Sequence, residues 1–305
     1  MAEWLMAPVL KTGIPLRVSW VRIPLLPPFY QKSPGVFPFF WHNSAMPIVL
    51  LSDFGNADGY AGTMKGVISQ MAPKLSVVDL SHEIPPFGIV QAALVLYQSY
   101  RYFPEGSIFV AVVDPGVGSQ RKAILVKSPA YYFIAPDNGL LTLVLEKETP
   151  QKIIHLTNEA YFLNPASPTF QGRDIFAPVA AQLAEGIAPE LFGQKILDYQ
   201  RLPDFFPEVS KKKVQGKIIS VDRFGNGVTN LSKEFLQKHF PGLKFFIQVR
   251  NKKIQTLKNH YAEVKGKSPF LLFGSSGFLE ISMNQGSAAK QLRLKVGAKL
   301  QVKRA

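Results

Sequence analysis

The chain has 305 residues, enough for two domains, and 47% of them are apolar, with no apolar run of membrane-spanning length. It has no cysteine, which excludes disulfides, thiolate metal sites and cysteine nucleophiles; its five histidines include no two at metal-ligand spacing, so no metal centre is expected. The net charge of +14 belongs to the C-terminal third, where residues 208–305 carry 20 Lys and Arg against 5 Asp and Glu. Such a stretch reads either as a face for anions or nucleic acid or as a solvated β-domain whose lysines guard strand edges, and its sparse aromatics favour the second.

Residues 1–45 show neither a helical nor a strand period and no secretory core. Trp20-Val-Arg-Ile-Pro24 back-translates into a sequence like the T-arm consensus of a transfer-RNA gene, and Val9-Leu-Lys-Thr-Gly13 into an anticodon arm. The segment is therefore expected to be a spurious extension with the true start at Met46, or else a disordered tail. No function is assigned to it.

From Met46 the pattern becomes regular. A strand at 48–51 ends in Ser52-Asp-Phe-Gly55, and a helix at 60–71 puts Tyr60, Met64, Val67, Ile68 and Met71 on one face. A strand at 75–80 leads to Ser81-His-Glu83, a helix covers 89–100, and a strand from 108 runs into Asp114. This alternation predicts a parallel α/β sheet, whose ligand sits beyond the carboxyl ends of the strands, so Asp53, Ser81 and Asp114 are expected to converge. After Asp114, Pro115 stops the strand, Gly116 and Gly118 force a turn, and Arg121 precedes a strand at 123–126. The carboxylate and guanidinium are either a pair presented to a ligand or an ordinary turn with a surface ion pair. Strands at 132–135 and 153–156 follow, and Asp174 is expected to cap a helix at 175–185.

Two prolines and a lysine run mark a linker at 203–213. Beyond it the period switches to two, with strands expected at 216–222, 245–249, 254–257, 270–273, 278–282 and 292–296 and loop chemistry at 222–230 and, either side of the strand at 278–282, at 274–277 and 284–288. The fold class is thus α/β: an N-terminal domain (46–202) with a parallel-rich sheet, then a smaller all-β, barrel-like domain (214–305).

Seven ordered motifs carry a resemblance: Ser52-Asp-Phe-Gly55, Asp79-Leu-Ser-His-Glu-Ile-Pro-Pro86, Val113-Asp-Pro-Gly-Val-Gly118, Ala135-Pro-Asp-Asn-Gly139, Gly172-Arg-Asp-Ile-Phe176, Asp222-Arg-Phe-Gly-Asn226 and Asn284-Gln-Gly-Ser287. Over residues 46–303 the chain resembles the S-adenosylmethionine hydroxide adenosyltransferase family, relatives of the fluorinase and chlorinase enzymes. The resemblance implies hydrolysis of S-adenosyl-L-methionine to adenosine and methionine by water or hydroxide attack at the ribose C5′, with no cofactor beyond the substrate. It implies Asp114 and Arg121 as two members of a catalytic Asp–Arg–His set. The third is replaced: Gln171 stands where the family has His in Phe-His-Gly-Arg-Asp, and glutamine takes no proton near neutral pH.

The resemblance further implies that Asp53 takes the ribose hydroxyls, and that Asp222, Asn226, Ser275 and Glu280 lie on the substrate side of the second domain. Phe87 stands either against the ligand or in the core at a helix start. His82 is expected to fix its own loop. A homotrimer is implied, with the site between the first domain of one subunit and the second domain of its neighbour. A cytoplasmic protein with no membrane partner is expected, and a nucleic-acid-binding protein, resting only on the basic C-terminal domain, is the least favoured reading. Two other readings stay open: a binding module that has lost turnover, motivated by Gln171, and a halogenase, disfavoured because the Asp114 carboxylate would repel a halide.

Overall fold

The computed structural model describes residues 46–203, 205–210 and 213–305; the expectations for 1–45 lie outside the described residues. The N-terminal lobe runs β1 (Ile48–Ser52), α1 (Tyr60–Met71), β2 (Val77–Ser81), α2 (Ile89–Ser99), β3 (Ile108–Val112), β4 (Ala123–Lys127), β5 (Tyr132–Pro136), α3 (Thr142–Leu145), β6 (Lys152–Leu156), α4 (Ala177–Ala184) and β7 (Gly193–Ile196). The strand order is β2-β1-β3-β5-β4-β6-β7. The first four are parallel; β4 and β7 run against their neighbours.

β1 and β3 are buried along their whole length, as continuous apolar runs must be in a sheet covered on both faces. The period of two sorts their side chains. Ile48 and Leu50 pack with Met64 and Ile68 of α1 and Val179 of α4, whereas Val49 and Leu51 pack with Ala92 and Leu96 of α2 and Val144 of α3. α1 matches its expected bounds and buries Ala61, Met64 and Ile68, but Tyr60 and Met71, placed on its apolar face from the sequence, are 48% and 38% exposed.

The C-terminal lobe comprises β8 (Glu208–Ser210), β9 (Lys213–Val221), β10 (Gly227–Ser232), α5 (Lys233–His239), β11 (Phe245–Val249), β12 (Lys252–Ile254), β13 (Leu257–Lys258), β14 (Phe270–Phe273), β15 (Phe278–Ser282), α6 (Ala288–Leu292) and β16 (Lys299–Arg304). They form one sheet in the order β12-β11-β16-β9-β10-β15-β14-β13, with β8 beside β9, antiparallel except where β13 meets β14. It curls around a core that includes Ile218, Ile247, Leu279 and Leu300.

Three expectations are corrected here. The strand expected at 292–296 is the end of α6 and the turn after it: Ser287 caps α6 by accepting the Lys290 N–H, and Arg293 ends it in the left-handed region (φ 51°). The loop expected at 222–230 gives way to β10, in which Thr229 and Asn230 turn inward and spend their side chains on the Leu279 and Phe205 carbonyls. The strand expected at 254–257 is divided between β12 and β13.

The lobes meet along an apolar seam in which Ala93 and Leu94 of α2 and Leu143 of α3 face Phe205, Ile219, Val228 and Phe278. Each fully buried aromatic there contributes about 1.5–3 kcal/mol. Gln91 Nε2 adds a hydrogen bond to the Ile219 carbonyl (3.2 Å).

Candidate active site

At the carboxyl ends of β1 and β3 lies a cleft of about 480 Å³ whose lining includes Asp53, Phe87, Asp114 and Gln171. Two of the three strand ends expected to converge do so. Ser81 does not line the cleft; its hydroxyl accepts the Glu83 N–H (3.1 Å) and holds the turn.

Asp114 follows β3, and the turn after it closes through Val117 N to the Asp114 carbonyl (3.2 Å) and Ser119 N to the Gly116 carbonyl (3.0 Å), with Gly118 at φ 79°. This folds Arg121 back onto Asp114. Arg121 Nε donates to Oδ1 (3.1 Å) and Nη2 to Oδ2, a two-pronged contact. The side chains are only 10% and 6% exposed, so the plain surface ion pair is set aside. From the turn after β5, Asn138 Nδ2 donates to the Val113 carbonyl (2.9 Å) and fixes the residue before Asp114.

Nη2 of Arg121 also donates to Oε1 of Gln171, so the sequence-predicted set of Asp114, Arg121 and Gln171 is assembled. Because guanidinium nitrogens only donate, the Gln171 carbonyl oxygen must face Arg121, and its amide NH₂ is the end left over. That NH₂ makes no hydrogen bond among the described residues.

Gln171 is held by a device the sequence reading mistook. Asp174 does not cap a helix: it lies within a π-helical turn, Gly172–Phe176, that leads into α4. Its Oδ2 accepts the Ser167 N–H (2.7 Å) and its carboxylate takes Arg173 through Nε (2.5 Å) and Nη2 (2.8 Å), strapping the loop of Thr169 and Phe170 to the helix. Burial pushes the Asp174 carboxyl up, but the Arg173 and Ser167 hydrogen bonds outweigh it and hold it below its ordinary value.

Asp53 Oδ2 accepts the Phe87 N–H (2.8 Å), and Phe87 sits at φ 63° with its ring 71% exposed over the cleft. Of its two readings, core packing is therefore excluded. An aromatic wall was missed: Tyr60 and Phe170 meet edge to face at 5.2 Å, and Phe54 touches both. Its signal was Tyr60 at the very start of a helix that follows a strand-end loop.

The second set lines a separate cleft of about 770 Å³ in the C-terminal lobe, which shares no residue with the first. It brings together Asp222, Asn226, Ser275 and Glu280, and adds Tyr261, which was not anticipated. Asn226 donates its backbone N–H to Asp222 Oδ1 and its Nδ2 to Oδ2, both at 2.8 Å, and Nδ2 also reaches Tyr261 Oη (3.2 Å). Tyr261 Oη donates to Glu280 Oε2 (3.4 Å). Burial first, and the Asp222 charge second, push the Glu280 carboxyl up to about 7. Gly274 lets it in: a Cβ there would stand 1.8 Å from Glu280 Oε1.

Comparison with known proteins gives the family of the chain. The profile of the SAM hydroxide adenosyltransferase N-terminal domain matches residues 48–193, and that of the C-terminal domain residues 216–301. A Thermus thermophilus protein named (R)-S-adenosyl-L-methionine hydrolase is 36% identical over 267 residues, covering 82% of this chain and 97% of its own. A Methanocaldococcus jannaschii protein of the same name is 38% identical over 259 residues (81% and 92%). A Nocardia brasiliensis fluorinase is more distant, 26% identical over 294 residues (86% and 98%). The crystal structure of an uncharacterized conserved protein from Thermotoga maritima superposes with a TM-score of 0.77 at 37% identity, covering 84% of this chain and all of that one. Both halves of the fold match in order and relatives are matched over nearly their whole length, so the chain belongs to the SAM hydroxide adenosyltransferase family.

Proposed function

We propose that the protein is a hydrolase that converts S-adenosyl-L-methionine to adenosine and L-methionine, with the (R)-sulfonium epimer named for its relatives as the preferred form. The observation that carries this is the buried cluster in which Arg121 clamps both Asp114 and Gln171 at the cleft. Water attacks the ribose C5′; an oxygen–carbon bond forms, the carbon–sulfur bond breaks and its electron pair stays on sulfur. The leaving thioether is neutral and needs no general acid, so the site has only to orient a water and receive its proton. Asp114 takes that proton toward solvent, Arg121 holds the carboxylate in place, and the free NH₂ of Gln171 donates to the water oxygen. No cofactor enters.

In this reading Asp53 turns its second oxygen to the ribose hydroxyls and Phe87 lies against the nucleoside. Asp222, Asn226, Ser275 and Glu280 receive the remainder of the substrate from a neighbouring subunit of a homotrimer. What supports the trimer is that the two clusters line separate clefts within one chain. No described helix is long and apolar enough to cross a membrane, and the reading puts the protein in the cytoplasm with its substrate.

Gln171 supports one other reading, a binding module without turnover. Each sulfonium epimer is incubated with the protein, adenosine is followed by chromatography and binding by calorimetry. Adenosine from the (R) epimer supports the hydrolase; binding without adenosine supports the module. A 5′-halogenated product in chloride would overturn both.

A further inference from the structure

Beneath the cleft floor runs a chain of side chains that the reaction does not use. Ser52, the last residue of β1, is 1% exposed, and its Oγ lies 2.7 Å from Nδ1 of His82, itself 3% exposed. Nε2 of His82 lies 3.1 Å from Asp79 Oδ1, and the other Asp79 oxygen accepts Lys65 Nζ at 2.8 Å. Serine, histidine and aspartate in this order are the groups of a hydrolase triad, but a hydroxyl this buried reaches no substrate.

The direction of each hydrogen bond follows from donor and acceptor chemistry. Asp79 accepts Lys65 and is held in its charged form: burial pushes its carboxyl up, and the Lys65 and His82 hydrogen bonds outweigh that. It therefore accepts from His82, whose proton must be on Nε2. A neutral ring then has only an acceptor at Nδ1, so the Ser52 hydroxyl donates to it. The Ser52 oxygen in turn accepts the Phe54 N–H (3.3 Å). Nearby, Gly55 N donates to the His82 carbonyl (2.8 Å) and Asn56 Nδ2 to Glu83 Oε1 (2.8 Å), sewing the loop after β1 to the loop after β2. Asp53 stands between the two tied residues Ser52 and Phe54, and its own Oδ2 is taken by Phe87 N.

We infer that His82 is a positioning residue for the nucleoside end of the cleft: as the neutral Nε2–H tautomer it fixes the Ser52 hydroxyl, and through Ser52 and Phe54 it holds the Asp53 carboxylate in the orientation that meets the ribose. The inference rests on the reading of Asp53 as the ribose contact.

The test has two parts on the full chain. In protein labelled with ¹⁵N-histidine, two-bond proton–nitrogen spectra at neutral pH give His82 a protonated Nε2 and a bare Nδ1; a proton on Nδ1 overturns the inference, whatever the protein catalyses. For the second part, Ser52→Ala and His82→Ala each raise the adenosine Kd and the KM for S-adenosylmethionine about tenfold, with kcat within about twofold. His82→Asn keeps an acceptor for Ser52 and stays within about threefold of wild type, and the double alanine variant is no worse than either single. Unchanged Kd and KM in folded Ser52→Ala, or a fall confined to kcat, overturns it. If a variant fails to fold, the spectrum of the wild type decides. A wild type that binds adenosine but forms none sinks the hydrolase reading alone; one that does not bind adenosine sinks this inference.

Discussion

Gln171 meets Arg121 through its side-chain carbonyl oxygen, across 50 positions of sequence. The amide is thereby turned so that its NH₂ is the end left for the cleft, at the position where the family resemblance implies an imidazole. A donor can hold a water by its oxygen but cannot take its proton.

Gln171→His is accordingly expected to raise kcat about 100-fold, the lower end of what a positioned base supplies. The rate should also acquire a limb in the histidine range, near pH 6–7, that the wild type lacks. PH–rate profiles of the two proteins check both points; equal kcat at every pH would count against the role given to Gln171.

Asp114→Ala removes the proton acceptor and strands a guanidinium that is 10% exposed. Turnover should fall by about 10² to 10⁴. Folding stability should fall by about 3–5 kcal/mol, the usual cost of leaving a buried charge unpaired. Single-turnover kinetics and urea denaturation measure the two separately. Undiminished turnover would remove Asp114 from the mechanism.

How far these features could be read in advance depends on whether they are local. The alternating strands and helices of the N-terminal lobe were legible because β1 and β3 are pure apolar runs ending in charged or polar residues. Asp114 and Arg121 were legible as a pair because the turn joining them is only a few residues long. Asp174 was not: its position resembles a helix N-terminus, yet its carboxylate is drawn to Ser167 and Arg173 by a π-helical turn no propensity announces. β10 was hidden by Gly225, Asn226 and Asn230, which read as loop until Phe205 and Leu279 supply buried carbonyls for its polar side chains. Phe87 is exposed and tied through its N–H to Asp53, 34 residues away, a placement that lay beyond any local pattern.

Phe87 should separate stability from binding. A non-glycine residue at φ 63° costs about 1–2 kcal/mol, and this ring is exposed and returns little of that to folding. Phe87→Gly should leave Tm unchanged or raise it slightly while raising KM about tenfold through loss of the aromatic contact. Thermal melts and steady-state kinetics check this; a marked drop in Tm would mean that the ring packs in the fold after all.

Glu280 predicts a pH dependence of stability. Folding raises its carboxyl from 4.5 to about 7, so between these values the unfolded chain releases a proton that the folded protein keeps. Stability should therefore fall as pH rises from 4.5 to about 7 and level off above. Glu280→Gln abolishes this contribution, flattening the dependence of Tm on pH across that window and making the variant the more stable protein above it. Parallel slopes for the two proteins would place the titration elsewhere.

The contact between Gly274 and Glu280 bears on how this lobe can change. A Cβ at 274 would stand 1.8 Å from Glu280 Oε1 and 2.6 Å from its Cδ, so the flexible Glu280 side chain would have to swing out of its present seat. A substitution at 274 therefore moves the Glu280 carboxyl away from Tyr261 and Asp222 and out of the burial that pushes it up to about 7. Packing and proton chemistry in the second cleft are inherited together, as one heritable choice written at two positions.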